Sequence, residues 1–143
     1  MYELSFEQLD PIKIPLIKRI YKAHYPSGKA KKDELTITAS HSGVICGLVR
    51  FRPVGSYRLM TGMLVIPSYR EAKVGHALMQ YCCANVLSDT DYCFAYSHLE
   101  NFYSQHGFST IEIETLPNHL RDMLTRYVNS GKDLIPMHYT KQG

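Results

Sequence analysis

With 143 residues, 45% of them hydrophobic and 20% charged, the chain has enough material for one domain with its own core. A formal charge of +3 is too mild to point to nucleic acid, and no apolar run is long enough to span a bilayer. The opening "MYELSFEQLD" lacks the pattern of a signal peptide, so the expected location is the cytoplasm. Cysteines at 46, 82, 83 and 93 contain no CxxC pair, and they read as reduced, mostly buried thiols with no metal to hold.

In chain order, residues 2–8 suit a short first strand. "DPIKIPLIKRIYKAHY" carries Ile17, Ile20, Tyr21 and His24 at helical spacing, with Pro15 tolerable near the helix start. "ELTITAS" alternates, placing Leu35, Ile37 and Ala39 on one face of a second strand. "HSG" at 41–43 predicts a hairpin turn into "VICGLVRFRP", and "VGS" leads into "YRLMTGMLVI". A helix is expected from near Lys73, because Val74, Ala77, Leu78, Tyr81 and Cys82 form one apolar stripe. "YCFAYS" is a short buried strand, and "LENFYSQHGF" a short helix closed by Gly107. "STIEIET" alternates and predicts a further strand. Leu120, Met123, Leu124, Tyr127 and Val128 then mark a helix that Gly131 ends, and "LIPMHYT" is the last strand. The order is mixed α/β, an antiparallel meander followed by strand–helix–strand.

The handover from "LVIP" to the helix at Val74 is the most informative stretch. A helix N-terminus presents amides with no intrahelical partner and roughly half a positive charge, which suits an anion. Gly75 lets a backbone or ligand come close, and Arg70 can add a charge-assisted contact. The bland alternative is a solvated Arg70 and a glycine that only helps packing.

Read from Val65 to Leu78, the pattern V-x-P-x-x-R-x-x-(G)-V-G-x-x-L resembles the acetyl-CoA signature of the GNAT N-acetyltransferase superfamily. "NFYSQHGF" at 101–108 resembles that family's second landmark, and the order of elements is similar from about residue 2 to 140. The resemblance implies one GNAT domain over 1–143, a GNAT-like acyl-CoA N-acyltransferase fold whose fourth and fifth strands run parallel. It also implies acetyl-CoA as cosubstrate, an amine as acceptor and direct attack in a ternary complex.

The sequence departs from the pattern at Lys73, where a glycine is usual. If that glycine supplies a positive φ, lysine costs on the order of 1 kcal/mol. If it only permits close approach, Lys73 keeps its amide in place and turns its ammonium outward. The stripe starting at once with Val74 favours the second reading.

By the same resemblance, backbone groups of Met63, Leu64 and Val65 meet the pantetheine arm and polarise the acetyl carbonyl, with Gly62 marking a bulge just before them. The pyrophosphate amides carry over to Arg70, Glu71, Ala72, Lys73, Val74, Gly75 and His76. Tyr103 matches the family tyrosine that faces the coenzyme A sulfur. A phenol is protonated at neutral pH and can donate to a departing thiolate, although a core tyrosine would show the same spacing. The fourth strand holds no acid, so the base is open among Glu100, His98, His138, Tyr21, His24, Tyr25 and water.

"LPNHLRDMLTRY…LIPM" is similar in layout to the end of N-acetylglutamate synthase-type acetyltransferase domains, which favours an amino acid or other small amine as acceptor. Two other functions stay open: a catalytically silent acyl-CoA-binding module, and a protein lysine or N-terminal acetyltransferase. Lys13, Lys18, Arg19, Lys22, Lys29, Lys31 and Lys32 form either a solvated face or a basic rim for an acidic ligand. No nucleic-acid or membrane partner is expected. The fold allows a homodimer, for which no residue argues.

Overall fold

The computed structural model describes residues 3–141. Seven strands are ordered β1-β2-β3-β4-β5-β7-β6 in one sheet: β1 Ser5–Gln8, β2 Leu35–His41, β3 Val44–Val54, β4 Tyr57–Val65, β5 Asp91–Tyr96, β6 Phe108–Thr110 and β7 Leu134–Tyr139. Among the described residues four α-helices intervene: α1 Ile14–His24, α2 Val74–Asn85, α3 Glu100–Ser104 and α4 Asn118–Asn129. The α/β reading holds, with antiparallel pairing through β1, β2 and β3 and a parallel β4–β5 pair. Of the strand expected over 2–8, residue 2 lies outside the described residues.

The chain forms two compact units. The first comprises Met1–Arg52 and Thr61–Cys82. Its meander is built as the alternation and turn residues require. Ser42 and Gly43, with φ of 51° and 78°, make the tight turn between β2 and β3. Strand β2 is buried on both faces, Thr36 and Thr38 as well as Ile37 and Ala39. Helix α1 opens with Pro15 in its first turn and buries Ile14, Ile17 and Tyr21 on one face. With Leu9, Ala30, Leu48 and Leu64 these form the core of this unit. In α2 the stripe is as expected, with Val74, Leu78 and Cys82 buried, and Met79 joining them.

The second unit comprises Pro53–Met60 and Cys83–Gly143. Residues Arg58–Met60 of β4 run parallel to Asp91–Cys93 of β5. Asp91, fully buried, takes a two-pronged contact from Arg58 at 2.8 and 2.7 Å and the Ser88 amide at 2.8 Å. Its core joins Leu59, Tyr92, Leu116, Leu120, Met123 and Leu124. The strand expected over "STIEIET" is shorter than its alternation suggests. The ladder with β7 covers Phe108–Thr110, one further bond runs from the Ile111 amide to the Pro136 carbonyl at 3.1 Å, and Ile113–Thr115 form a 3-10 turn. Ile111 and Ile113 still pack on the core, so the alternation reports burial rather than a ladder.

Among the described residues the four cysteines form no disulfide. Among the described residues no helix is long and apolar enough to cross a membrane, and no group of three or more His, Cys, Asp or Glu is placed to hold a metal ion.

Candidate active site

The first unit contains every residue from Met63 to His76 that the sequence assigned to cofactor binding. Gly62 in β4 has φ +67°, outside the dihedrals of a regular strand, as a bulge-forming glycine would. Leu64 is buried behind it, while Met63 and Val65 are half-buried. After Ile66 the chain makes a 3-10 turn over Pro67–Ala72, in which Arg70 and Glu71 are exposed. Arg70 does not simply extend into solvent. Its Nε donates to the Val65 carbonyl at 3.2 Å, which ties the turn back onto the end of β4.

Lys73 corrects the sequence reading. It is left-handed, with φ 59° and ψ 30°, so the glycine usual at this position serves a positive φ and not close approach alone. The 3-10 turn has to reverse direction before α2 can start, and a left-handed residue performs that reversal. The Lys73 carbonyl then accepts from the Ala77 amide at 3.1 Å, the first bond of the helix. Amides ahead of that bond, from Val74 onward, sit at the positive end of α2. The first turn of α2 carries no acidic side chain to compete for them. Gly47 seats this helix start, since a Cβ there would lie 3.1 Å from Val74 Cγ1. The sequence had marked Gly47 only as part of a strand.

The larger omission lies behind Gly62. Tyr21 Oη donates to the Gly62 carbonyl at 2.6 Å, and Arg50 Nε donates to Tyr21 Oη at 3.1 Å. Arg50 Nη1 reaches Glu34 Oε1 at 2.6 Å and the Lys29 carbonyl at 2.7 Å. Burial raises the Tyr21 phenol, Arg50 partly offsets this by charge and hydrogen bonding, and the net pKa is about 12. Burial would lower Arg50, but Tyr21 and Glu34 reverse the sign and hold it above its ordinary value. Tyr21 is therefore no open base at a substrate entrance: its side chain is 1% exposed and its hydroxyl committed.

In the second unit Tyr103 sits near the end of α3, buried at 8% exposure. Its ring packs edge-on to Phe102 at 5.0 Å and to Phe108 at 6.1 Å. Gly107 closes this turn with φ +89°, and a Cβ on it would meet the Tyr139 ring at 2.7 Å. So "NFYSQHGF" folds into a tight aromatic knot, with Tyr139 packing on Phe108 at 5.5 Å. The other candidate bases are dispersed. Glu100 is exposed and accepts from the Thr110 hydroxyl. His98 and His24 are exposed, and Tyr25 packs on Tyr21. His138 stacks on Tyr92 at 4.3 Å, with Nε2 2.7 Å from the Asp89 carbonyl.

A family model for the acetyltransferase (GNAT) domain matches residues 32–110, more than half of the chain. The chain belongs to the GNAT acetyltransferase family. Solved structures agree on the fold. The N-acetylglutamate synthase of Neisseria gonorrhoeae, complexed with coenzyme A and N-acetyl-glutamate, superposes with a TM-score of 0.75 at 13% identity. It aligns with 100% of this GNAT chain, which spans only 36% of the synthase. The Escherichia coli ribosomal-protein-S18-alanine N-acetyltransferase matches at 0.67 and 12% identity, covering 99% of this chain and 97% of its own. An aminoglycoside 6'-N-acetyltransferase complexed with coenzyme A gives 0.67 at 13%, covering 97% and 98%. No curated protein sequence matches this GNAT chain.

Proposed function

We propose that residues 1–143 form one GNAT domain, a cytoplasmic acetyl-CoA-dependent N-acetyltransferase acting on an amino acid or other small amine. The observation that carries the reading is the left-handed turn at Lys73, which leads from the 3-10 turn after β4 into α2 with no acid in the helix's first turn. A diphosphate fits such a helix end, because the helix dipole and outward-facing amides favour an anion without a metal counter-ion.

Amides from Arg70 through Glu71, Ala72, Lys73, Val74 and Gly75 to His76 cradle the pyrophosphate in this reading. Met63, Leu64 and Val65 offer their backbone to the pantetheine arm. A neutral amine attacks the thioester carbon, the C–S bond breaks, and the Tyr103 hydroxyl protonates the leaving thiolate while the ammonium loses its proton to water or a nearby base. An amine of pKa near 10.4 is neutral at pH 7 only about once in 2,500 molecules, so the acceptor site must shed that proton. The choice of a small amine rests on the "LPNHLRDMLTRY" layout and on the N-acetyl-glutamate named for the gonococcal synthase, while the ribosomal-protein-S18-alanine enzyme keeps a protein acceptor in the comparison.

Calorimetric titration with acetyl-CoA and desulfo-coenzyme A, on wild type and Gly75→Glu, tests the cradle. Micromolar binding that survives loss of the sulfur but not the new carboxylate is expected. Unchanged affinity in the folded variant would remove the cradle from residues 70–76. A thiol-release screen of free amino acids beside peptides then separates small-amine from protein acceptors. In that assay Tyr103→Phe should lower turnover while leaving coenzyme A affinity intact. Binding with no release for any amine would leave a silent acyl-CoA module.

A further inference from the structure

Nothing in the reaction scheme above uses the buried group of Tyr21, Arg50 and Glu34. Arg50 and Glu34 are 5% and 8% exposed, and they face each other at 2.6 Å. A buried ion pair is weak evidence for stability, since well-packed apolar residues of the same volume serve folding as well or better. What this one does is hold the phenol of Tyr21 in a single place. The Tyr21 oxygen receives Arg50 Nε at 3.1 Å, so its own hydrogen is left for the Gly62 carbonyl at 2.6 Å. The Lys29 carbonyl, also on Arg50, fastens the loop after α1 to the same point.

The Gly62 carbonyl and the Met63 amide belong to one planar, trans peptide unit. Fixing the carbonyl toward Tyr21 therefore points the Met63 N–H to the opposite side of β4. A hydrogen bond to the carbonyl also polarises the peptide and strengthens its N–H as a donor. Glycine is required for the tilt: φ is +67°, and a Cβ would come within 2.5 Å of Tyr21 Oη.

We propose that Tyr21, locked by Arg50 and Glu34, is a positioning residue that aims the Met63 N–H at the acetyl carbonyl of the bound thioester. This rests on the acetyl-CoA reading of the site and adds the device that orients its polarising donor. The raised pKa of the phenol keeps it a donor throughout the neutral range.

The test compares acetyl-CoA with S-ethyl-coenzyme A, a thioether that has the same arm but no carbonyl, by calorimetry on wild type and Tyr21→Phe. Wild type should bind acetyl-CoA more tightly, and Tyr21→Phe should lose about tenfold of that preference while holding S-ethyl-coenzyme A as before. Infrared difference spectra of carbonyl-labelled acetyl-CoA supply a signature that general loosening would not give. The bound carbonyl stretch should fall in wild type and return toward its free value in the variant. A folded Tyr21→Phe that keeps both preference and stretch overturns the positioning role and leaves the cofactor site standing. Equal wild-type affinity for both ligands does the same, whereas wild type binding neither ligand removes the acetyl-CoA reading and this inference together. Should Tyr21→Phe not fold, Glu34→Leu, which removes the acceptor that holds Arg50, should shift the stretch in the same direction. An unshifted stretch in that variant overturns the role.

Discussion

Gly62 precedes, and Lys73 lies within, the stretch proposed to meet the cofactor, and both have a positive φ, of 67° and 59°. Their surroundings are opposite. Behind Gly62 stand Tyr21 and Arg50, packed so closely that a methyl group could not be added. Lys73 is exposed, with its side chain in solvent. The same dihedral angle is therefore enforced twice over at one site and by chain direction alone at the other. A buried bend needs glycine on two counts, space and torsion. An exposed bend needs it on one, and the protein tolerates lysine there at a cost of about 1 kcal/mol.

The contrast breaks most forcefully at its buried end. Arg50→Met would leave the Glu34 carboxylate enclosed without its cation, and chemical denaturation should show a loss of about 3–5 kcal/mol. Adding Glu34→Leu to that variant should recover much of the loss, because no unpaired charge remains. If the double variant is as weak as the single one, the ion pair contributes far more to stability than to aiming Tyr21. Gly62→Ala comes next, with a strained φ and a 2.5 Å approach to Tyr21 Oη. A loss of about 2–4 kcal/mol is expected, and a loss under 1 would mean that β4 can flatten without harm.

Tyr21 also gives the buried site a pH signature. Its folded pKa, pushed up to about 12, exceeds the ordinary 10.0 of a phenol, so its contribution is complete below pH 10 and lost as pH rises towards 12. Urea midpoints should fall over that window, and Tyr21→Phe should flatten the decline; equal slopes would show that other groups, such as the buried Cys93 thiol, dominate. The smallest effect belongs to the exposed bend. Lys73→Gly should gain about 1 kcal/mol, raising Tm by about 3–5 °C. No gain would mean that the lysine side chain offsets its own backbone strain.

The elements were legible where periodicity and turn chemistry coincide, as at the Ser42–Gly43 turn and in the α2 stripe from Val74 to Cys82. The Lys73 conformation was missed because an apolar stripe shows where a helix begins, not how the chain enters it. "STIEIET" misled for a related reason: Ile111, whose amide reaches the Pro136 carbonyl, and Ile113, in a 3-10 turn, pack on the core without continuing the strand. Helical spacing correctly buried Tyr21 but was silent on its hydroxyl, whose partners Arg50 and Gly62 lie 29 and 41 residues away. Charged residues such as Glu34 and Arg50 look like surface in any local window. The strand–turn–helix order around Val74 was readable because it follows from the apolar stripe and Pro67 whatever the other side chains are.

Strand β7 lies between β5 and β6 although both precede it in the chain. During synthesis, then, β6 emerges with no neighbour to pair with, and β5 presents an unfilled edge until residues 134–139 arrive. At about 5–20 residues per second the wait from the end of β6 lasts roughly 1–6 s. For that interval the nascent chain carries two complementary open edges, which makes it a natural client for ribosome-associated chaperones and the stage at which a pause in translation would promote aggregation.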